Sequence, residues 1–180
     1  RVPPPSAPPP PRAAPPPGAG GSKNLFLTPW PKRASDAHTL LGWDERPGQY
    51  VAYARPSVHL GNKTRRIGRA VSDDFNSWTD PEDILVPDDD DPPGLEFYGM
   101  PVCDYAGWRI GLLLHFRTEA GQQTCYVEQA FSRDGTNWSR PLRGHWFEGA
   151  HPEDAGGIYP AGDALIDDGD SWLIYYTGVC

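Results

Sequence analysis

Short runs of apolar and β-branched residues, separated by turns that contain glycine, proline or aspartate, follow one another along most of the chain. The runs at residues 39–43 and 49–54 flank the turn Asp44-Glu-Arg-Pro-Gly48, a pattern typical of a β-hairpin. Further strands are predicted at residues 66–72, 84–86, 100–105, 108–116, 124–132, 161–166 and 172–176. Glycine and proline interrupt the pattern too often for an amphipathic helix, so the chain is predicted to be all-β.

One stretch of this pattern occurs twice, 60 positions apart. Residues 70–81 and 130–141 share five identities: Ala70/Ala130, Ser72/Ser132, Asp74/Asp134, Trp78/Trp138 and Pro81/Pro141. Units of about 60 residues with three or four antiparallel strands are typical of β-propeller blades, whereas a β-sandwich with accidental repetition is the alternative. We therefore expect a β-propeller, and we expect the two tryptophans to be core residues that recur with each blade.

The first 22 residues differ in composition from the rest. They hold ten of the 22 prolines in the chain, together with alanine and glycine, and they contain no aromatic residue. Such a tract can bury little, so residues 1–22 are predicted to be a polyproline-like or disordered arm, with a ligand for a proline-binding domain as the alternative. Residues 23–180 then form a partial propeller of about two and a half blades. Closing the ring needs about four or five blades, so we expect a fragment.

Charge and residue spacing exclude several classes of function. The net charge is −8, which disfavours nucleic-acid or anionic-membrane binding, and no apolar run approaches the roughly 20 residues that span a bilayer. The three cysteines do not indicate a disulfide frame, and the five histidines give no zinc spacing. The acidic residues 88–91 are interpreted as a solvated loop, with a calcium site as the alternative. No metal or cofactor is therefore expected.

Each predicted unit opens on a carboxylate. Asp36 begins the first unit and Glu96 begins the second, each eight positions before the aspartate of the following turn, and Asp154 begins the third. In a propeller, the innermost strands face the central channel, so residues at matching positions form a ring at its mouth. Each acid taken alone could be a turn or capping residue, but together they form a register-matched trio of candidate catalytic residues.

Carboxylates on separate rigid strands suit the hydrolysis of a glycosidic bond. One acid protonates the leaving oxygen while a second carboxylate attacks the anomeric carbon or activates water. A third carboxylate can support the acid or bind a sugar hydroxyl. His38, Tyr98 and Tyr159 lie within five residues of these acids and are candidate substrate-binding residues, with inner-strand packing as the alternative.

The repeated motif, Ser132-Arg-Asp-Gly-Thr-Asn-Trp138, and the strand Trp172-Leu-Ile-Tyr-Tyr176 resemble those of the five-bladed β-propeller glycosidases. This superfamily includes invertases, levansucrases, arabinanases and β-xylosidases. The segments Leu95-Glu-Phe-Tyr-Gly-Met-Pro101 and Asp154-Ala-Gly-Gly-Ile-Tyr-Pro160 look like those of bacterial members of the group, and the resemblance extends over residues 36–178.

The resemblance implies a glycoside hydrolase with a carbohydrate substrate and no cofactor. It implies acids on three successive blades, here Asp36, Glu96 and Asp154, with Glu96 as general acid and Asp36 as nucleophile or base. The alternative function is a non-catalytic propeller that binds carbohydrate or protein.

Overall fold

A computed structural model describes residues 34–56, 64–162 and 165–180, and the predicted arm at residues 1–22 lies outside these ranges. The described residues contain thirteen strands and no helix, so the all-β prediction is confirmed. The first sheet is formed by β1 (Ala34–Asp44), β2 (Gln49–Pro56), β3 (Ile67–Ser72) and β4 (Glu82–Leu85), in chain order. The strands pair antiparallel, so this sheet is a simple meander.

The second sheet repeats this arrangement with one variation. It consists of β5 (Glu96–Gly99), β6 (Val102–Tyr105), β7 (Trp108–Glu119), β8 (Gln122–Ser132) and β9 (Trp138–Ser139). Both β5 and β6 pair with β7, which has twelve residues, so they form one edge strand interrupted at Met100-Pro101. The register shift between Phe97 and Gly99 belongs to the same interruption.

The third unit is built from two pairs of short strands, β10 (Gly157–Pro160) with β13 (Tyr176–Val179) and β11 (Ile166–Asp167) with β12 (Trp172–Leu173). The predicted strand at residues 161–166 is therefore wrong for most of its length. The strand begins earlier, at Gly157, because that backbone pairs with residues 176–179, which follow much later in the sequence.

Two apolar cores lie between the sheets. The first joins the first two sheets through buried residues of both, including Val51, Ile67, Phe97 and Leu113. The second packs the other face of the second sheet against the third unit, through Ile110, Leu112, Val127 and Ile158. The three sheets are therefore stacked in succession, and the described residues do not form a closed ring.

The repeated motif forms the same loop in both copies. In the second copy, the Asp134 carboxylate accepts hydrogen bonds from the backbone N–H groups of Thr136 and Asn137, and the indole of Trp138 donates to the Gly135 carbonyl at 3.1 Å. The first copy makes the equivalent bonds at residues 74–78. Trp138 also packs against the core between the first two sheets, as predicted for a residue that recurs with each unit.

Candidate functional site

The three predicted acids lie on or beside the first strand of each unit. Asp36 lies in β1, Glu96 is the first residue of β5, and Asp154 precedes β10 by three positions. Each of these strands is an edge strand of its sheet, and β1 contacts β5. The side chains of Asp36 and His38 lie outside the described part of the chain, although their backbone belongs to β1.

Glu96 is held by the residue that leads into β3. The backbone N–H of Arg65 donates to Glu96 Oε1 at 3.1 Å, and the Arg65 guanidinium forms an ion pair with Glu96 Oε2. The guanidinium also lies over the ring of Phe116, 4.8 Å from its centroid. Because both oxygens of Glu96 act as acceptors in this pair, Glu96 can donate a proton only after Arg65 releases one of them.

The two predicted tyrosines are brought together. The rings of Tyr98 and Tyr159 meet edge to face, with centroids 5.6 Å apart, so the beginnings of β5 and β10 are neighbours. The Arg55 guanidinium lies over the ring of Tyr98, 4.5 Å from its centroid. Phe116 packs beside Tyr98 at 5.4 Å. The result is an aromatic and cationic surface next to Glu96.

The Tyr159 hydroxyl is partly withdrawn from water and is hydrogen-bonded to the Cys125 thiol. Burial, followed by the electrostatic effect of Cys125, raises the pKa of Tyr159 to about 12. Burial likewise raises the pKa of Cys125 to about 12. Both groups are therefore neutral at physiological pH and act only through hydrogen bonds and packing.

Asp154 has a different environment from Glu96. It is only 5% exposed. Its Oδ1 accepts a hydrogen bond from the His151 backbone N–H at 2.7 Å, and its Oδ2 accepts one from the Tyr176 hydroxyl at 2.8 Å. The backbone hydrogen bond from His151 lowers the pKa of Asp154. Asp154 thus ties the turn at residues 151–156 to β13.

The interpretation of residues 88–91 as a solvated loop is wrong for Asp91. Its side chain is buried and forms two hydrogen bonds with the guanidinium of Arg140, at 2.6 and 2.8 Å. Asp88 pairs with Arg143 at 2.6 Å. Arginine partners on both aspartates explain why the run is acidic, and no group of three His, Cys, Asp or Glu side chains within the described ranges is arranged to hold a metal ion.

Sequence reasoning missed the arginines and the thiol of this site. Arg55 lies near the end of an otherwise apolar strand, which is the one signal that could have identified it. Arg65 and Cys125 gave no local signal, since their partners Glu96 and Tyr159 are more than thirty positions away in the sequence. The structure also has no helix, among the residues that it describes, that is long and apolar enough to cross a membrane.

Comparisons with known proteins give a similarity of fold. No family model matches the sequence, and no curated protein matches it. Two solved structures are similar: one described as a complex of BT0996 with RGII, with a TM-score of 0.52 and 17% identity, and one described as a glycoside hydrolase, with a TM-score of 0.50 and 16% identity. In each case the match covers 73% of this chain and 38% of the other. The chain therefore has a glycoside hydrolase-like fold and spans well under half the length of these proteins.

Proposed function

We propose that this chain is part of a glycoside hydrolase of the five-bladed β-propeller type, in which the three stacked sheets are successive blades. The observation that carries the proposal is the contact between Tyr98 and Tyr159, because it joins the first strands of two units beside Glu96. The fold similarity to a glycoside hydrolase supports the same reaction class. The first strands would then line the channel, as the inner strands of a propeller do.

In this mechanism Glu96 is the general acid and Asp36 is the nucleophile or base. Glu96 protonates the leaving oxygen after Arg65 moves away from one carboxylate oxygen, and Asp36 attacks the anomeric carbon or activates water from the opposite face. Tyr98 and Tyr159 provide ring edges and faces against which a sugar packs, and His38 hydrogen-bonds a hydroxyl. Asp154, the third carboxylate, supports the site by holding the turn that leads into β10.

The test is hydrolysis of a panel of aryl glycosides by the longest available form of the protein and by its Glu96→Gln and Asp36→Asn variants. We expect each variant to lose at least about a hundredfold in kcat, the usual contribution of a positioned acid or base. Glu153→Gln, an exposed acid in the neighbouring turn, is the matched control and keeps full activity. Equal rates in all four proteins would rule out the proposed catalytic pair.

A second candidate function is carbohydrate binding without catalysis. It is favoured by the hydrogen bonds of Glu96 and Asp154, since both oxygens of each carboxylate already have partners within the protein. In that case Glu96→Gln binds oligosaccharide as the unchanged protein does, and neither protein releases an aryl group.

A further inference from the structure

A cavity of about 330 Å³ lies on the outer side of the candidate site, between the second sheet and the turn that precedes β10. Its walls include Arg117, Glu119, Tyr126, His145, Glu148 and Ala155. Cys125 also lines it and is hydrogen-bonded to Tyr159, so this thiol connects the cavity wall to the tyrosine contact described above. The volume is at the lower end of ligand sites, which fits one small unit better than an extended molecule.

The charged groups of the cavity are paired with one another. The Arg117 guanidinium lies 2.6 Å from Glu119 Oε1, and the His145 imidazole is hydrogen-bonded to Glu148. The carboxylates of Glu119 and Glu148 are about three-fifths exposed, so each has acceptor capacity left for a ligand. Two carboxylates that accept hydrogen bonds favour a ligand rich in hydroxyl groups and repel one that carries its own carboxylate.

Tyr126 gives the cavity a rigid aromatic wall. Its hydroxyl is hydrogen-bonded to His115 Nδ1 at 2.9 Å, and His115 Nε2 lies 3.0 Å from Glu128 Oε2. Both His115 and Glu128 are fully buried, so this chain of three side chains anchors the ring from the interior. His145 packs on the ring, with centroids 3.4 Å apart, and places its partner Glu148 at the wall.

We propose that this cavity binds one neutral sugar unit, which donates hydroxyl hydrogen bonds to Glu119 and Glu148 and packs beside Tyr126. The proposal depends on the proposed function only for the class of ligand. The cavity does not contain Glu96, so binding here is separable from hydrolysis. A sugar in this position would lie next to the candidate catalytic site and extend its recognition of a longer chain.

The experiment measures binding by calorimetry and saturation-transfer NMR in the Glu96→Gln background, which removes turnover. The probes are xylobiose and arabinobiose, which are neutral, and digalacturonate, which is anionic. We expect the neutral probes to bind and digalacturonate to bind at least about tenfold more weakly. Glu119→Gln and Glu148→Gln should each weaken the neutral probe about tenfold, the effect of losing a hydrogen bond to a charged group, while Glu153→Gln changes nothing.

A steric pair keeps the test independent of charge. Ala155→Leu fills the cavity and should abolish binding of the neutral probes, whereas Ala150→Leu places the same side chain on a neighbouring exposed position outside the cavity and should leave binding intact. Absence of binding by both neutral probes, equal affinity in the Ala155→Leu protein, or tighter binding of digalacturonate would each overturn the inference. Loss of binding in Ala155→Leu with unchanged aryl-glycoside hydrolysis would support this site even if the catalytic roles proposed for Glu96 and Asp36 failed.

Discussion

Arg109 is fully buried and forms an ion pair with Asp44, which lies in the first sheet. Its guanidinium also donates to the Tyr53 hydroxyl and to the Asp134 carbonyl, each at 3.3 Å. A buried ion pair needs further hydrogen bonds to offset its desolvation, and the repeated loop supplies one of them. The loop at residues 132–138 is therefore part of the contact between the first two sheets.

Gly135 of that loop has no room for a side chain. Its φ is +78°, and an added Cβ would overlap the Arg109 guanidinium and lie 2.6 Å from the Tyr53 hydroxyl. We expect Gly135→Ala to lower the free energy of unfolding by about 3 kcal/mol, from the left-handed backbone and the overlap together. Urea unfolding would measure this loss.

Gly121→Ala is the matched control for this prediction. Gly121 has a φ of +83° but nothing within 4 Å of an added Cβ, so only the backbone cost of about 1 kcal/mol applies. Equal losses at the two positions would show that the contact with Arg109 is unimportant.

Glu128 gives a second prediction, for acid stability. Burial alone would raise its pKa, but hydrogen bonds from His115, Arg140 and the Gly144 backbone lower the pKa to about 2, from an ordinary value of 4.5. A pKa that is lower in the folded state stabilises the protein above the unfolded value and loses that contribution as the pH falls toward the folded value. We expect Glu128 to contribute fully above about pH 4.5 and to lose its contribution between there and about pH 2.

The measurement is thermal unfolding of the unchanged protein and of Glu128→Gln across this range. The difference in stability between the two should shrink as the pH falls, while the difference for the exposed control Glu153→Gln stays constant. A difference for Glu128→Gln that does not change with pH would contradict the prediction.

At the scale of elements, Arg140 fastens the segment between the first two sheets to β8. It follows β9, and its guanidinium bridges the buried carboxylates of Asp91 and Glu128. Burial lowers and these hydrogen bonds more strongly raise the pKa of Arg140, so the guanidinium stays charged. The connection from β4 to β5 is thereby fixed against the second sheet.

Replacing Arg140 by leucine would leave two carboxylates buried without their cation. We expect Arg140→Leu to cost about 3–5 kcal/mol of stability. The side chain of Arg143, by contrast, is 34% exposed and pairs with the exposed Asp88, so Arg143→Leu should cost less than about 1 kcal/mol. Denaturant unfolding of the two variants compares them directly, and similar losses would contradict the distinction between a buried and an exposed pair.

The strands that were predicted well from the sequence are those with long apolar patterns. The run at residues 108–116 falls within β7, which is buried along most of its length. β10 was missed because Gly157 and Pro160 resemble turn residues, and its strand conformation depends on pairing with β13. In the candidate site, the acids and tyrosines could be found from matching positions, but Arg65 and Cys125 could not, because their partners are set by the stacking of sheets.

The whole molecule is unevenly covered. The first two sheets each bury apolar faces, whereas the third unit exposes Leu173, Tyr175, Tyr176 and Val179 by 40–60%. Contiguous exposed apolar side chains beside an open strand edge promote association. The third unit is therefore the part of the described chain most inclined to pack against another surface.

We expect this chain to self-associate with rising concentration through the third unit. Exchanging both Leu173 and Val179 for lysine should shift the sedimentation profile to monomer, because charge on the edge opposes pairing. Leu142→Lys, at an even more exposed position away from this unit, should leave the profile unchanged. Association that persists in the double variant would place the contact elsewhere.

The loop motif has a consequence for how a duplicated sheet can diverge. Its fourth residue takes a left-handed backbone in both copies, as Gly135 in one and as Phe75, with a φ of 65°, in the other. Phe75 packs between Tyr50 and Trp78, and those ring contacts offset the strain. The carboxylate and the indole close the loop in both copies, whereas the residue between them follows the space that its own surroundings leave. Ancestral copies would be recognised by that pair, even where the glycine has been lost.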